Sequence, residues 1–365
     1  MTRLYQRVWN FNPGPAALPL EVLERAHSEW FNYGGSGMNV MEMSHRGKDY
    51  ETIHNRCISF VKELLELSDR YSVLLLQGGA SLQFAMIPIN FLSQDKSADY
   101  IYTGDWAKKA INEAKRVGKV HQAYSGESHN FTRLPTREEL DLDPGAVYVH
   151  ITSNETIRGI EFFEYPDTGE VPLVADMSSD IMSHWFDASR FALIYAGAQK
   201  NIGPAGVTLV IIRDDFLEKA RTDLPVILSY QTHAKENSLY HTPPTFAIYI
   251  MSLTLEWLKA QGGLRGIERI NRAKAETLYT LIDQSGGFYR GTVDPRSRSW
   301  MNVCLRLPNE MLEEQFVKEG KENGFVGLKG HRSVGGIRVS LYNAVPLQAV
   351  EELAQFMKEF QRRNG

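Results

Sequence analysis

Lys200 is the only charged side chain in the stretch IYAGAQKNIGPAG, residues 194–206. An amine set among small residues at the end of an apolar run can attack a carbonyl carbon or carry a proton. Asp176 closes the run VPLVAD, 24 residues earlier. That spacing suits one crossover connection, so both side chains can reach one crevice. Gly78-Gly79-Ala80-Ser81 lies between a strand-like run and a helical pattern. Such a turn offers free backbone N–H groups and the positive end of a helix dipole to a phosphate. Trp106, in TGDWA, can cover a planar ligand, and Thr156 follows another strand end. Each feature alone has an ordinary reading as a solvated lysine, a plain turn, a packing tryptophan or a helix cap. Together they match a planar phosphorylated pyridine aldehyde. That ligand needs a lysine for its carbonyl, a carboxylate for its ring nitrogen, a helix N-terminus for its phosphate and an aromatic face. A non-catalytic module binding a phospholigand on the same kind of sheet is also compatible with the pattern.

Two His-Arg dipeptides, His45-Arg46 and His331-Arg332, occur in Gly-flanked loops. Clustered guanidiniums and imidazoles would form a site for a dianionic phosphate, because arginine makes planar bidentate contacts. Two unrelated exposed loops are the alternative. Arg338 opens the run IRVSLY and could hold a carboxylate.

The positioning elements are short Val/Ile/Leu-rich runs: YSVLLLQ (71–77), DYIYTG (99–104), AVYVHITS (146–153), VPLVAD (171–176), FALIYAG (191–197) and GVTLVIIR (206–213). They lack clean alternation, as expected of a sheet covered on both faces. Helical patterns between them predict an α/β fold with a largely parallel sheet and crossover helices. Ligands then sit beyond the carboxyl ends of the strands, where the residues above fall. Asp105 is expected to cap the helix that follows DYIYTG. Near KAQGGLRG the texture changes. A long helix (264–285) precedes the strand SWMNVCLRL, a helix near 309–320, the strand GIRVSLYN and a final helix (346–362). The expected division is an N-terminal arm (1–15), a large domain (16–261) and a smaller C-terminal α/β domain (262–365).

The chain has 365 residues, a formal charge of -4, 43% hydrophobic and 23% charged residues, which excludes disordered and fibrous classes. The mild acidity gives no general pull toward nucleic acid or an anionic membrane. The N-terminus lacks the apolar segment of a secretory signal, and no apolar run reaches the roughly 18 residues of a membrane span. A cytoplasmic location is expected. Cys57 and Cys304 lie in apolar periodic segments and read as buried thiols rather than a disulfide. This counts against a desulfurase, which needs a mobile catalytic cysteine. No metal site is expected.

FNPGPAALP, EMSHRGKDY, QGGASLQFAMIPIN, SNETIRGIEF, ADMSSDI, YAGAQKNIGPAG, TPPTFAIY and KGHRSVGGIRVSLYNA together resemble the phosphoserine aminotransferase family. The resemblance runs from about Trp9 to the C-terminus. It implies a pyridoxal-phosphate enzyme of the aspartate-aminotransferase fold type, with one pyridoxal 5'-phosphate per subunit in a Schiff base to Lys200. By motif, Asp176 would partner the ring nitrogen, Trp106 would stack on the ring and Thr156 would bond the cofactor. Ala80, Ser81 and Gln199 would hold its phosphate. His241 and Thr242 would reach that phosphate from the partner subunit of a homodimer, and position 241 more often carries asparagine in this family. Some members have arginine where Ser81 stands, and its help with the substrate anion would be missing here. His45, Arg46, His331 and Arg332 would bind the substrate tail, and Arg338 the α-carboxylate. The implied reaction moves an amino group between L-glutamate and 3-phosphooxypyruvate, giving O-phospho-L-serine and 2-oxoglutarate in serine biosynthesis. Some members also act on a phosphorylated hydroxythreonine in pyridoxal phosphate biosynthesis.

Overall fold

A computed structural model describes residues 4–365; the first three residues of the expected N-terminal arm lie outside the described residues. The strands, in chain order, are β1 (Trp9–Asn10), β2 (Tyr71–Leu76), β3 (Ser97–Tyr102), β4 (Lys119–Ser125), β5 (Val149–Thr152), β6 (Asn154–Glu155), β7 (Ile160–Glu161), β8 (Leu173–Asp176), β9 (Leu193–Gly197), β10 (Thr208–Arg213), β11 (Arg290–Gly291), β12 (Asn302–Arg306), β13 (Phe325–Val326) and β14 (Ile337–Ser340). The helices are α1 (Leu20–Ser28), α2 (Lys48–Leu64), α3 (Gly79–Phe91), α4 (Asp105–Ala114), α5 (Asp214–Leu217), α6 (Tyr230–Lys235), α7 (Thr245–Ala260), α8 (Gly263–Asp283), α9 (Glu310–Glu322) and α10 (Leu347–Asn364).

Seven strands form the central sheet in the order β2-β10-β9-β8-β5-β3-β4. The pairs β9/β8, β8/β5, β5/β3 and β3/β4 are parallel. Only β10 runs against its neighbours β2 and β9. The reason is the length of the connection. Residues 198–207 alone separate β9 from β10, too few for the helical crossover that a parallel pair requires. The loop that bears Lys200 therefore reverses the chain at one end of the sheet. The edge strand β4 lacks an apolar signal in the sequence, since Lys119, Val120, His121 and Gln122 are exposed or half-buried.

Alternate residues of each central strand enter different cores. Val73, Leu75, Ile194 and Ala196 face the core shared with α2, α7 and the start of α8. Leu74, Leu76, Leu193 and Tyr195 face the core covered by α3 and α4. Burial on both faces accounts for the missing alternation in the sequence. A third core joins Phe11 to α8, α9, α10 and the antiparallel sheet β11-β12-β14. β1 pairs in parallel with β13, which ties the chain's beginning to this C-terminal region. Helix α8 serves two cores, with Leu264 and Ile267 in the first and Ala275, Leu278 and Ile282 in the third. Among the described residues no helix is long and apolar enough to cross a membrane, and no cluster of metal-binding side chains occurs.

Two local expectations are corrected. Asp105 is the first residue of α4, not its cap, which is Gly104. Cys57 is buried, but Cys304 is only partly so and borders a side cavity; both thiols are free, and burial pushes both up to about 12.

Candidate active site

The carboxyl ends of β8 and β9 bring Asp176 and Lys200 into one cavity of about 280 Å³. Ala80, Ser81, Trp106, Thr156, Gln199, His331 and Arg338 line it too. One wall is the start of α3. Gly78 precedes it with φ +84°, and a Cβ there would stand 2.6 Å from Leu82 Cβ, so glycine is required at this turn. The first amides of α3 have no partner within the helix and point their N–H groups outward.

Lys200 Nζ donates to Thr156 Oγ1 at 2.7 Å and stands 5.6 Å from the centroid of the Trp106 ring. Burial pulls its pKa down to about 8, against the opposing pull of the Asp176 charge. Asp176 is 4% exposed, and burial raises its pKa, opposed by Ser178 and Lys200. Its Oδ1 accepts from the Ser178 amide at 2.9 Å. A buried carboxylate held only by Ser178 and the nearby Lys200 charge suits a cationic partner such as a protonated ring nitrogen. Arg338, 6% exposed, donates from Nη1 to Thr156 O at 3.3 Å, while its Nε has no partner among the described residues. The cavity thus holds an amine with a lowered pKa, a buried carboxylate, a flat ring, a helix N-terminus and an under-used guanidinium. These are the groups a phosphorylated pyridine aldehyde and a carboxylate substrate require.

The chain does not bring every expected residue into this cavity. His45 and Arg46 lie in the loop before α2, with Arg46 Nε donating to His45 Nε2 at 3.4 Å. Arg332 is exposed outside the cavity lining, next to His331, which does line it. His241 packs near His233, and its Nδ1 has no partner among the described residues. Thr242 O accepts from Gln77 Nε2 at 3.3 Å, beside the α3 turn.

Other residues at the site were not singled out in the sequence. Gly14, Asn154, Ser178 and Ser179 line the cavity. The strand-end rule that selected Thr156 could have found Asn154 as well. Glu155 is fully buried and accepts from Trp106 N at 3.1 Å and Ala107 N at 2.9 Å, so it caps α4 from a distance. Burial raises it to about 7. Nothing local in the sequence announces a cap from 49 residues away.

The sequence model for class-V aminotransferases matches residues 8–353. The phosphoserine aminotransferase of Niallia circulans is 55% identical over 360 residues, covering 99% of this chain and 99% of that protein. The solved phosphoserine aminotransferase from Bacillus circulans subsp. alkalophilus superposes with a TM-score of 0.97 at 55% identity, covering 99% of this chain and 100% of that one. The pyridoxal-phosphate-bound phosphoserine aminotransferase of Trichomonas vaginalis matches with a TM-score of 0.91 at 39% identity, over 96% of this chain and 100% of that one. With sequence, fold and family model in agreement along nearly its whole length, the chain belongs to the phosphoserine aminotransferase family of class-V aminotransferases.

Proposed function

We propose that this protein transfers an amino group between L-glutamate and 3-phosphooxypyruvate, forming 2-oxoglutarate and O-phospho-L-serine, with pyridoxal phosphate as cofactor. The observation that carries the reading is the position of Lys200 Nζ, bonded to Thr156 and over the Trp106 ring, in the cavity that also holds Asp176 and Arg338.

The first amides of α3, at Ala80 and Ser81, would hold the cofactor phosphate with Gln199, and Trp106 would cover the ring. Lys200 is the residue to which the cofactor aldehyde would be joined. When bound, the cofactor supplies an electron sink for the bond broken at the substrate α-carbon. Asp176 would keep a proton on the ring nitrogen. Arg338 binds the α-carboxylate shared by every substrate of the cycle, which fixes the α-hydrogen relative to Lys200. Lys200 Nζ would act on the α-hydrogen as general base, carrying that proton away from the substrate α-carbon. Its lowered pKa supports this role, because part of the population is the neutral amine near neutral pH.

His331 with Arg332, and His45 with Arg46, form the tail site. A phosphate gains more from this cluster than a carboxylate, having more charge and more terminal oxygens. We place His45, Arg46, His241 and Thr242 at the cavity of the partner subunit in a homodimer: none lines the cavity of its own chain and, unlike Arg332 beside His331, none adjoins a residue that does.

Half-reactions test the assignment. The purified protein is expected to be yellow, to lose that absorbance on borohydride reduction, and to change spectrum with either L-glutamate or O-phospho-L-serine. A coloured protein that answers glutamate but not O-phosphoserine would overturn the substrate assignment. A colourless one that takes up no pyridoxal phosphate would overturn the chemistry.

A further inference from the structure

Lys274 sits in α8 with no exposed surface and no carboxylate beside it among the described residues. Burying an uncompensated ammonium is costly. Here it is met by three carbonyls: Nζ donates to Leu341 O at 2.8 Å, Tyr342 O at 2.9 Å and Val345 O at 3.0 Å. All three belong to the turn that follows β14, so one side chain ties that turn to α8. Burial lowers its pKa to about 7.

The turn leads back to Lys200 by two routes. In the first, the Asn343 amide donates to Asn201 Oδ1 at 3.0 Å, immediately after Lys200 in the chain. Asn343 is itself fixed by Asn271, which donates to its Oδ1 at 2.8 Å, and by its own bond to Met182 O at 2.9 Å. In the second, Tyr342 OH donates to Pro13 O at 2.9 Å. Gly14 follows, close enough to the Lys200 stem that an added Cβ would stand 3.4 Å from Lys200 Cγ. Ala16 N then donates to Gln199 O at 2.9 Å, immediately before Lys200. Asn201 and Asn343 are each 4% exposed or less, so water does not compete for the bonds of the first route.

We propose that Lys274 is a positioning residue for the transamination, fastening the turn Leu341–Val345 so that the turn holds the residues on either side of Lys200, Asn201 by its side chain and Gln199 through the Pro13–Ala16 segment. The same turn ends the strand that carries Arg338, so one brace sets the amine and the carboxylate anchor in register. The idea rests on the functional reading above for its kinetic readout, but its structural readout is independent.

The test uses Lys274→Met, which keeps a straight side chain and removes the donors. In cofactor-free protein, hydrogen exchange at the amides of residues 199–203 is expected to quicken by about tenfold or more. In the holoenzyme, kcat for the O-phosphoserine half-reaction is expected to fall about tenfold while KM changes by less than about threefold. The visible circular dichroism of the bound cofactor is expected to change with it. Asn201→Ala breaks the first route. If the turn acts through Asn201, the double variant falls no more than about twofold below the weaker single variant. Lower thermal stability with unchanged exchange and kcat, or effects that multiply, would overturn the proposal. Should Lys274→Met fail to fold, Tyr342→Phe and Asn201→Ala stand in, each breaking one route. Unchanged kcat and exchange in both would equally overturn it. A wild-type protein inert toward O-phosphoserine would reject the functional reading instead, and the exchange experiment would still decide on the brace.

Discussion

At the scale of residues, the site was legible where a side chain had one job and a strand end to mark it. Lys200, Asp176, Trp106 and Thr156 each follow a Val/Ile/Leu run, and all four line one cavity. Their mutual electrostatics were not legible, because they depend on burial. The Lys200 amine is held near pKa 8 by desolvation that the Asp176 charge partly offsets. The neutral amine is the nucleophile, so the rate at which cofactor-free protein couples to an aldehyde should rise with pH through about 8. Asp176→Asn removes the charge that favours the ammonium. The midpoint of that rise should then move to lower pH, and the proposed place of Asp176 at the ring nitrogen predicts weaker cofactor affinity as well. Stopped-flow uptake of pyridoxal phosphate over about 4 pH units around the amine's pKa, from about pH 6 to about pH 10, measures it. A midpoint that stays put or moves up in the variant would show that Asp176 does not act on Lys200 in this way.

At the scale of elements, local pattern identified most strands and helices of the central sheet but missed what depends on distant chain. The antiparallel course of β10 could have been inferred from the short GAQKNIGPAG connection. The capping of α4 could not. Asp105 has the right residue type for a cap but instead accepts from Arg158 Nε at 2.9 Å, and Glu155 takes the amides. Gly104 leaves room for that carboxyl group, since a Cβ there would come 2.6 Å from Glu155 Cδ. Glu155→Ala should therefore cost about 1–3 kcal/mol of stability and loosen Trp106, read as a weaker circular dichroism signal from the bound cofactor. Glu155→Gln keeps the shape and removes the titration, at the cost of one of the two acceptors that meet Trp106 N and Ala107 N. Burial raises the wild-type group to about 7, so the folded state holds its proton more tightly than the unfolded chain. The stability this contributes is complete at acid pH and is lost as pH rises through about 7. Glutamine does not titrate. Its stability relative to wild type should rise from pH 5 to pH 8, a window of about 3 units spanning the shift, in paired denaturant titrations. A pH-independent difference would mean that Glu155 is not strained by its charge.

At the scale of the whole molecule, the cavity of one chain holds Lys200, Asp176, Trp106 and Arg338, but leaves His45 and Arg46 outside. The segment before them carries Trp30, Phe31, Met38 and Met41, which are 39%, 85%, 39% and 53% exposed. An apolar groove of about 380 Å³ lies beside Trp30, lined also by Leu18, Leu23, Phe246 and Ile250. Covering this surface with a second copy would bury the apolar side chains and carry the adjoining His45-Arg46 loop with them. Sequence could pair the two His-Arg motifs by chemistry, but not assign them to subunits, because periodicity carries no information about a partner. Complementation can. In the proposed homodimer, Lys200→Ala and Arg46→Ala protomers co-expressed with different affinity tags would form a mixed dimer. If Arg46 serves the partner's cavity, one site of that dimer carries both lesions and the other carries neither. The doubly purified mixed dimer should then regain about half the wild-type turnover per dimer, with wild-type KM for O-phosphoserine. If Arg46 serves its own cavity, each site carries one lesion, and the mixed dimer should perform no better than the average of its parents. That result would place the His45-Arg46 pair back on the chain that bears it and require the loop before α2 to move toward Lys200.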